Sequence, residues 1–175
     1  MLISANPDSV ATLAVDTSPV TSYSRIGVIS DTHGLLRPEA LETLLGCDQI
    51  IHAGDIGKLE VLRQLAELSP VTAVRGNNDQ DSWAKTLPFD ATIAVGPVNI
   101  HVIHDLAQLT LDPVLAGFHV VISGHSHKPR ILENAGVLYL NPGSAGPRRF
   151  RLPVSIGELM INDAQVQARI ITLDV

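Results

Sequence analysis

Five times in this chain a short apolar run of the kind that forms a buried strand leads straight into residues able to ligate a metal. Arg25-Ile26-Gly27-Val28-Ile29-Ser30 leads to Asp31-Thr32-His33-Gly34. Gln49-Ile50-Ile51-His52-Ala53 runs into Gly54-Asp55, and Pro70-Val71-Thr72-Ala73-Val74 into Arg75-Gly76-Asn77-Asn78-Asp79. Asn99-Ile100-His101-Val102-Ile103 leads to His104-Asp105, and His119-Val120-Val121-Ile122-Ser123 to Gly124-His125-Ser126-His127. One such ending means little, because buried strands often finish on a polar residue where they reach solvent. In open α/β folds, however, the ligand crevice lies outside the carboxyl ends of the strands, so the repetition predicts one convergent site.

Helical patterns separate the first of these runs. Pro38 suits a first helical turn, with Leu41, Leu44 and Leu45 on one face and an end near Gly46. Leu59, Leu62, Leu65 and Ala66 make a second stripe, stopped by Ser69-Pro70. A third helix is expected from Asp112-Pro113, with Asp as cap, to Gly117. Strands alternating with such helices predict parallel βαβ units. Beyond them the pattern changes to hairpins: Ala91–Val95 with Val98–Ile103, Arg130–Glu133 with Val137–Leu140, and Pro153–Ile161 with Val166–Leu173. Three hairpins added to one parallel sheet would leave long open edges. Two mixed sheets packed face to face, with helices outside, are the expected architecture.

The chain has 175 residues, enough for one domain with a sizeable core. A hydrophobic content of 45% and a mean hydropathy of +0.23 exclude a disordered chain, yet no run is long enough to span a membrane. Formal charge is -6 with no basic tract, which argues against stable nucleic-acid binding through backbone phosphates. Cys47 is the single cysteine, so no internal disulfide can form and a reducing, cytoplasmic setting is expected. Residues 1–24 are rich in Ser, Thr, Ala, Val and Pro, lack Lys and Arg, and are expected to be a partly mobile extension outside a domain spanning 25–175. Self-association of the chain is left open.

Asp31, His33, Asp55, Asn77, His104, His125 and His127 offer carboxylate, amide and imidazole donors with no thiolate, a set suited to Mn²⁺, Fe or Zn²⁺. Seven ligands exceed the need of one divalent ion and make two sites if one carboxylate is shared. Asp55, on a tight turn after Gly54, is the natural bridge. His52, His101 and His119 lie within the strands and read as hydrogen-bonded core residues.

Asp31-x-His33, Gly54-Asp55, Gly76-Asn77, His104 and Gly124-His125-Ser126-His127, in this order, resemble the signature of the calcineurin-like metallophosphoesterases. The compact length and Asn141-Pro142-Gly143-Ser144 are similar to the small bacterial and archaeal phosphodiesterases of that superfamily, over residues 25–175. The resemblance implies a four-layer α/β/β/α sandwich of two mixed β-sheets flanked by helices. It implies Asp31, His33 and His127 on one metal, Asn77, His104 and His125 on a second, and Asp55 bridging, with Asp55, Asn77 and His104 as the catalytic set. Two divalent ions are expected, manganese first, with iron, zinc or nickel as alternatives. The implied reaction is hydrolysis of a small phosphodiester by a hydroxide bridging the metals. The alternative is a non-catalytic assembly scaffold like the superfamily's retromer subunit, which loss of ligands would favour; here all seven positions hold the expected residue types.

Two positions depart from the family pattern. Many members carry a His where this chain has Asn78, whose amide cannot act as a general acid, so better leaving groups should be favoured. Asp105 stands where glycine is common: beside the second metal it would recruit a water or weaken attraction to an anionic substrate, and facing outward it would do neither, the reading slightly favoured. Arg75, Asn78 and Arg148, with Arg149 as an alternative to Arg148, are the expected substrate contacts, since a guanidinium can grip two phosphate oxygens.

Overall fold

The computed structural model describes residues 23–175, so most of the expected N-terminal extension lies outside the described residues. The chain opens with β1 (Ser24–Ile29), α1 (Pro38–Leu44), β2 (Gln49–His52), α2 (Leu59–Ala66) and β3 (Val71–Ala73). Ser24, placed in the extension by the sequence, is already part of β1 and pairs with Ile161. β1, β2 and β3 run parallel, as the βαβ pattern predicts. There follow β4 (Asp90–Val95), β5 (Val98–Ile103), β6 (Val120–Ile122), β7 (Arg130–Asn134), β8 (Val137–Asn141), β9 (Ser155–Asn162) and β10 (Gln165–Thr172).

These strands make two mixed five-stranded sheets, ordered β10-β9-β1-β2-β3 and β4-β5-β6-β8-β7. The three expected hairpins are all present, β4–β5 and β7–β8 at the edge positions of the second sheet and β9–β10 extending the first. The β7–β8 turn has positive φ at both Ala135 and Gly136, the type I′ geometry that matches strand twist. The fold is the expected α/β sandwich.

Alternation along the strands decides which layer each side chain enters. Ile26 and Val28 of β1, Ile51 of β2 and Leu159 and Ile161 of β9 meet Val98, Ile100, Val102, Val120, Ile122 and Leu140 of the second sheet in one apolar layer. On the outer face of the first sheet Ile29, Ile50 and Ile156 pack under Ala40 and Leu44 of α1 and Val61 and Leu65 of α2, with Cys47 buried among them. Truncating a fully buried residue of this group such as Leu44 to alanine costs about 2–5 kcal/mol.

The same face carries one charged cluster. Glu158, 2% exposed, accepts from Arg25 Nε at 2.5 Å and from Arg169 Nε at 2.7 Å. Burial alone would raise its carboxyl pKa, but the two guanidinium contacts outweigh this and hold it low. Arg25 also donates to the carbonyls of Thr43 (2.8 Å) and Leu45 (2.6 Å), covering open carbonyls at the end of α1.

Over the second sheet the outer layer is thinner. The β5-to-β6 crossover holds a 3₁₀ turn at Leu106–Gln108, and Phe118 stacks on His101 with centroids 4.8 Å apart. The helix expected over 112–117 is a single turn. Asp112 does cap it, accepting from Val114 N at 2.9 Å, but the segment Val114-Leu115-Ala116 is exposed and buries no stripe that would extend a helix. Among the described residues no helix is long and apolar enough to cross a membrane.

Candidate metal centre

The loops that follow β1, β2, β3, β5 and β6 meet at one place, and the seven ligand candidates come with them. Backbone bonds set the loops against each other: Asp31 N donates to Gly54 O and His33 N to Asp55 O, both at 3.0 Å, and Gly124 N to His104 O at 2.9 Å. Asp31, Asp55, His104 and His127 are buried, His33 is half-buried, and Asn77 and His125 face solvent. The cluster thus has a buried floor and an open mouth.

Five of these residues have a backbone conformation that side chains rarely adopt: φ is 54° at Asp31, 45° at His33, 53° at Asp55, 64° at His125 and 58° at His127. Each such residue costs of order 1–3 kcal/mol, and the concentration of that cost in one place marks a functional site. Glycines make the close approach feasible. A Cβ on Gly76 would collide with the Asp55 carboxylate and backbone nitrogen, and one on Gly124 with Ser30 Oγ and Asp31 Oδ2.

On one side of the cluster His127 Nε2 lies 3.2 Å and His33 Nε2 3.9 Å from Asp31 Oδ1, and the two imidazole nitrogens are 3.4 Å apart. On the other, His104 Nε2 is 3.2 Å and His125 Nδ1 3.0 Å from Asn77 Oδ1. Asp55 Oδ2 stands between, 3.9 Å from His33 Nε2 and 3.5 Å from His104 Nε2. Ligand atoms of Asp31, His33 and His127, and of Asp31, Asp55 and His104, lie within 4.8 Å of one another.

Carboxylate, amide and imidazole ligand atoms crowd the centre of the cluster. Asp31 Oδ1 is buried and has no hydrogen-bond partner, although His127 Nε2 lies only 3.2 Å away. His104 Nδ1 donates to Ala53 O at 2.7 Å, which aims Nε2 at Asn77 and Asp55. Convergent acceptors of this hardness, relieved by a cation between them, fit a divalent metal.

The electrostatics follow from the same contacts. Burial by itself pushes the Asp55 carboxyl up, but His104 and the donors of Asn78 outweigh it and hold the group well below the usual carboxylate range. His104 moves up: burial opposes its charge, and Asp55 together with the Ala53 carbonyl more than compensates. Burial wins at His33, which is lowered in spite of Asp55 and Asp31.

The other expected contacts divide. Arg75 lines a cleft with Asn77, Phe89, His104 and Asp105. Asn78 is exposed and turned toward Asp55. Its side-chain amide donates to Asp55 Oδ2 at 2.6 Å, as its backbone N–H does to Oδ1 at 2.9 Å. The Arg148 guanidinium donates to the Val175 carbonyl at 2.7 Å, and Arg149 comes within 3.5 Å of His33 Nε2. Asp105 accepts from Ala107 N and Gln108 Nε2, both at 3.0 Å, and so caps its own 3₁₀ turn. Of the three strand histidines, His52 and His101 are buried, whereas His119 is exposed and accepts from Asn99 N at 3.0 Å.

Residues without a metal-ligand role in the sequence hold the loops. Asp79 is buried and accepts from Gly76 N (2.8 Å), Gly57 N (2.9 Å) and Ile56 N (3.1 Å), joining the β2 and β3 loops. Asn141 Nδ2 donates to Gly124 O at 2.6 Å and Ser144 Oγ to Asp31 O at 2.9 Å, so the Asn141-Pro142-Gly143-Ser144 segment braces both ends of the cluster. A carboxylate three residues after a Gly-Asn turn was the available sign for Asp79.

The family model described as the calcineurin-like phosphoesterase superfamily domain matches residues 25–164. A probable metallophosphoesterase of Methanocaldococcus jannaschii is 37% identical over 163 residues, 85% of this chain and 81% of that protein. A phosphodiesterase of the same organism is 28% identical over 137 residues, 68% of this chain and 82% of the relative. Vps29 of Entamoeba histolytica in complex with Zn²⁺ shares the fold, with a TM-score of 0.69 at 23% identity, covering 85% of this chain and 98% of that one. With its fold, its ordered ligand positions and these matches in agreement, the chain belongs to the calcineurin-like phosphoesterase superfamily.

Proposed function

We propose that this chain is a metal-dependent phosphodiesterase acting on small phosphodiesters. The observation that carries the reading is the position of Asp55 Oδ2, shared between the His33 side of the cluster at 3.9 Å and the His104 side at 3.5 Å. Asp31, His33 and His127 would hold one divalent ion, Asn77, His104 and His125 a second, and Asp55 both. Manganese is the favoured metal, and iron, zinc and nickel suit the same donors. Divalent ions in this cage supply positive charge to the developing transition state and a water acidic enough to attack phosphorus at neutral pH.

The protein's own part is orientation and charge. His104 is turned by the Ala53 carbonyl, and Asp55 is fixed by both donors of Asn78. Arg75 and Arg149 flank the open mouth, where guanidinium groups can bind the non-bridging oxygens of a diester. Position 78 carries no titratable proton for the departing oxygen, so esters with acidic leaving groups are the best substrates.

The relative named as a phosphodiesterase supports this class. The likeness to Vps29 is one of fold, and a scaffold has no need of seven converging ligand side chains. Hydrolysis of bis(p-nitrophenyl) phosphate after chelation, with Mn²⁺, Fe²⁺, Zn²⁺ or Ni²⁺ restored in turn, tests the proposal. Chelator-sensitive turnover restored by at least one ion supports it. Metal-saturated protein without turnover returns the scaffold reading.

A further inference from the structure

Beside the metal cluster, an open cleft of about 970 Å³ runs between the 125–128 loop and the 149–152 segment. Its lining contains His125, His127, Lys128, Arg149, Phe150 and Arg151, and among the described residues lining it none is acidic. This is unusual local chemistry for a chain of net charge -6.

Phe150 is the anomaly. It sits at the tip of a turn closed by the Leu152 N–H to Arg149 carbonyl bond at 3.1 Å, with φ at 53°. The left-handed conformation costs a bulky residue roughly 1–2 kcal/mol. The ring is 94% exposed, so folding recovers nothing from burying it. Strain and full exposure of an aromatic ring at the rim of a cationic cleft make it a candidate ligand contact.

We propose that this cleft is a nucleotide subsite: a nucleobase of the substrate stacks on Phe150, and a phosphate beyond the scissile one is bound by Lys128 and Arg151. The substrates are then diesters with a nucleoside arm and a further phosphate, as in a linear dinucleotide or the end of a single strand. Sequence-tolerant single-strand sites combine a cationic groove with aromatic platforms in this way. Arg149, within 3.5 Å of His33 Nε2, marks where the arm joins the metal cluster. The affinity is for a short segment during turnover, in keeping with the absence of a long basic tract.

This inference rests on the phosphodiesterase reading for its turnover test, and a binding test stands apart from it. Three esters share one leaving group: methyl p-nitrophenyl phosphate, thymidine 5′-(p-nitrophenyl phosphate), and the same thymidine ester carrying a 3′-phosphate. In each, water adds to phosphorus and nitrophenolate departs. The expected kcat/KM rises along the series. Phe150→Ala should lower the ratio of the thymidine to the methyl ester by between about fivefold and a hundredfold, the range of one base stacked on an aromatic ring. Arg151→Gln and Lys128→Gln should remove the gain from the 3′-phosphate. In parallel, fluorescein-labelled trithymidylate should bind the chelator-treated protein, more weakly in Phe150→Ala and at higher salt. Equal kcat/KM for the three esters, or binding and ratios that Phe150→Ala leaves alone, overturns the subsite. Oligonucleotide binding that depends on Phe150 without hydrolysis of any ester leaves the subsite standing and overturns the phosphodiesterase reading.

Discussion

Asn78 holds Asp55 with two donors, its side-chain amide on Oδ2 at 2.6 Å and its backbone N–H on Oδ1 at 2.9 Å. The carboxylate at the middle of the cluster is therefore oriented by the residue next to one of the proposed ligands. A partner of this kind typically changes metal affinity by about 10–100-fold when removed. Asn78→Ala keeps the backbone bond and loses the amide, so its expected loss in Mn²⁺ affinity is at the lower end, about tenfold. Calorimetric titration of metal into wild type and variant checks this.

Gly76 is under a different constraint, because a Cβ there meets the Asp55 carboxylate and backbone nitrogen. Gly76→Ala has to move Asp55, which displaces the shared ligand without touching the apolar layers. We expect metal affinity to fall at least as far as in Asn78→Ala, while stability falls by only about 1–3 kcal/mol. Metal titration combined with urea unfolding separates the two effects.

His52 links fold stability to pH. Its Nδ1 accepts from Gly54 N at 3.2 Å and its Nε2 lies 2.9 Å from Thr32 Oγ1, which itself donates to the Ile56 carbonyl. Both nitrogens are thus used by the neutral ring, and burial lowers its pKa from 6.5 to about 4. The unfolded chain takes up a proton near pH 6.5 that the native imidazole refuses until about pH 4, so protons favour unfolding. This stability is fully present above pH 6.5 and is lost as pH falls toward 4, amounting to at most about 3 kcal/mol. His52→Gln removes the titrating group. Its urea midpoint should decline less than that of wild type between neutral pH and about pH 4, and parallel declines would refute the assignment.

The sequence was most informative where local pattern and chemistry agree. The strand endings at Asp31, Asp55, Asn77, His104 and His125 were legible because an apolar run, a glycine and a polar ligand follow one another in a few residues, and parallel strands bring their carboxyl ends together. The Arg148 contact was not, since its partner is the carbonyl of Val175, 27 residues away. Only its spacing after Gly76-Asn77 marks Asp79 in the sequence, because its three partners are backbone N–H groups with no pattern of their own. The Asp112-Pro113 signal did mark a turn start, but a cap without an apolar stripe behind it does not make a helix. His119 lies next to a buried strand, and its exposure follows from its place before β6 begins at Val120.

The central claim is that Asp55 is shared by two divalent ions on which hydrolysis depends, and metal content measured together with turnover tests it most directly. Gently purified wild type and Asp55→Asn are compared by elemental analysis and by hydrolysis of bis(p-nitrophenyl) phosphate with Mn²⁺ restored. The account predicts two metals per wild-type chain, fewer in Asp55→Asn because the amide keeps the shape and loses the charge, and a fall in turnover of at least about a hundredfold, the scale on which one preorganised charge acts in a transition state. An Asp55→Asn protein that holds two metals per chain and turns over like wild type would contradict it.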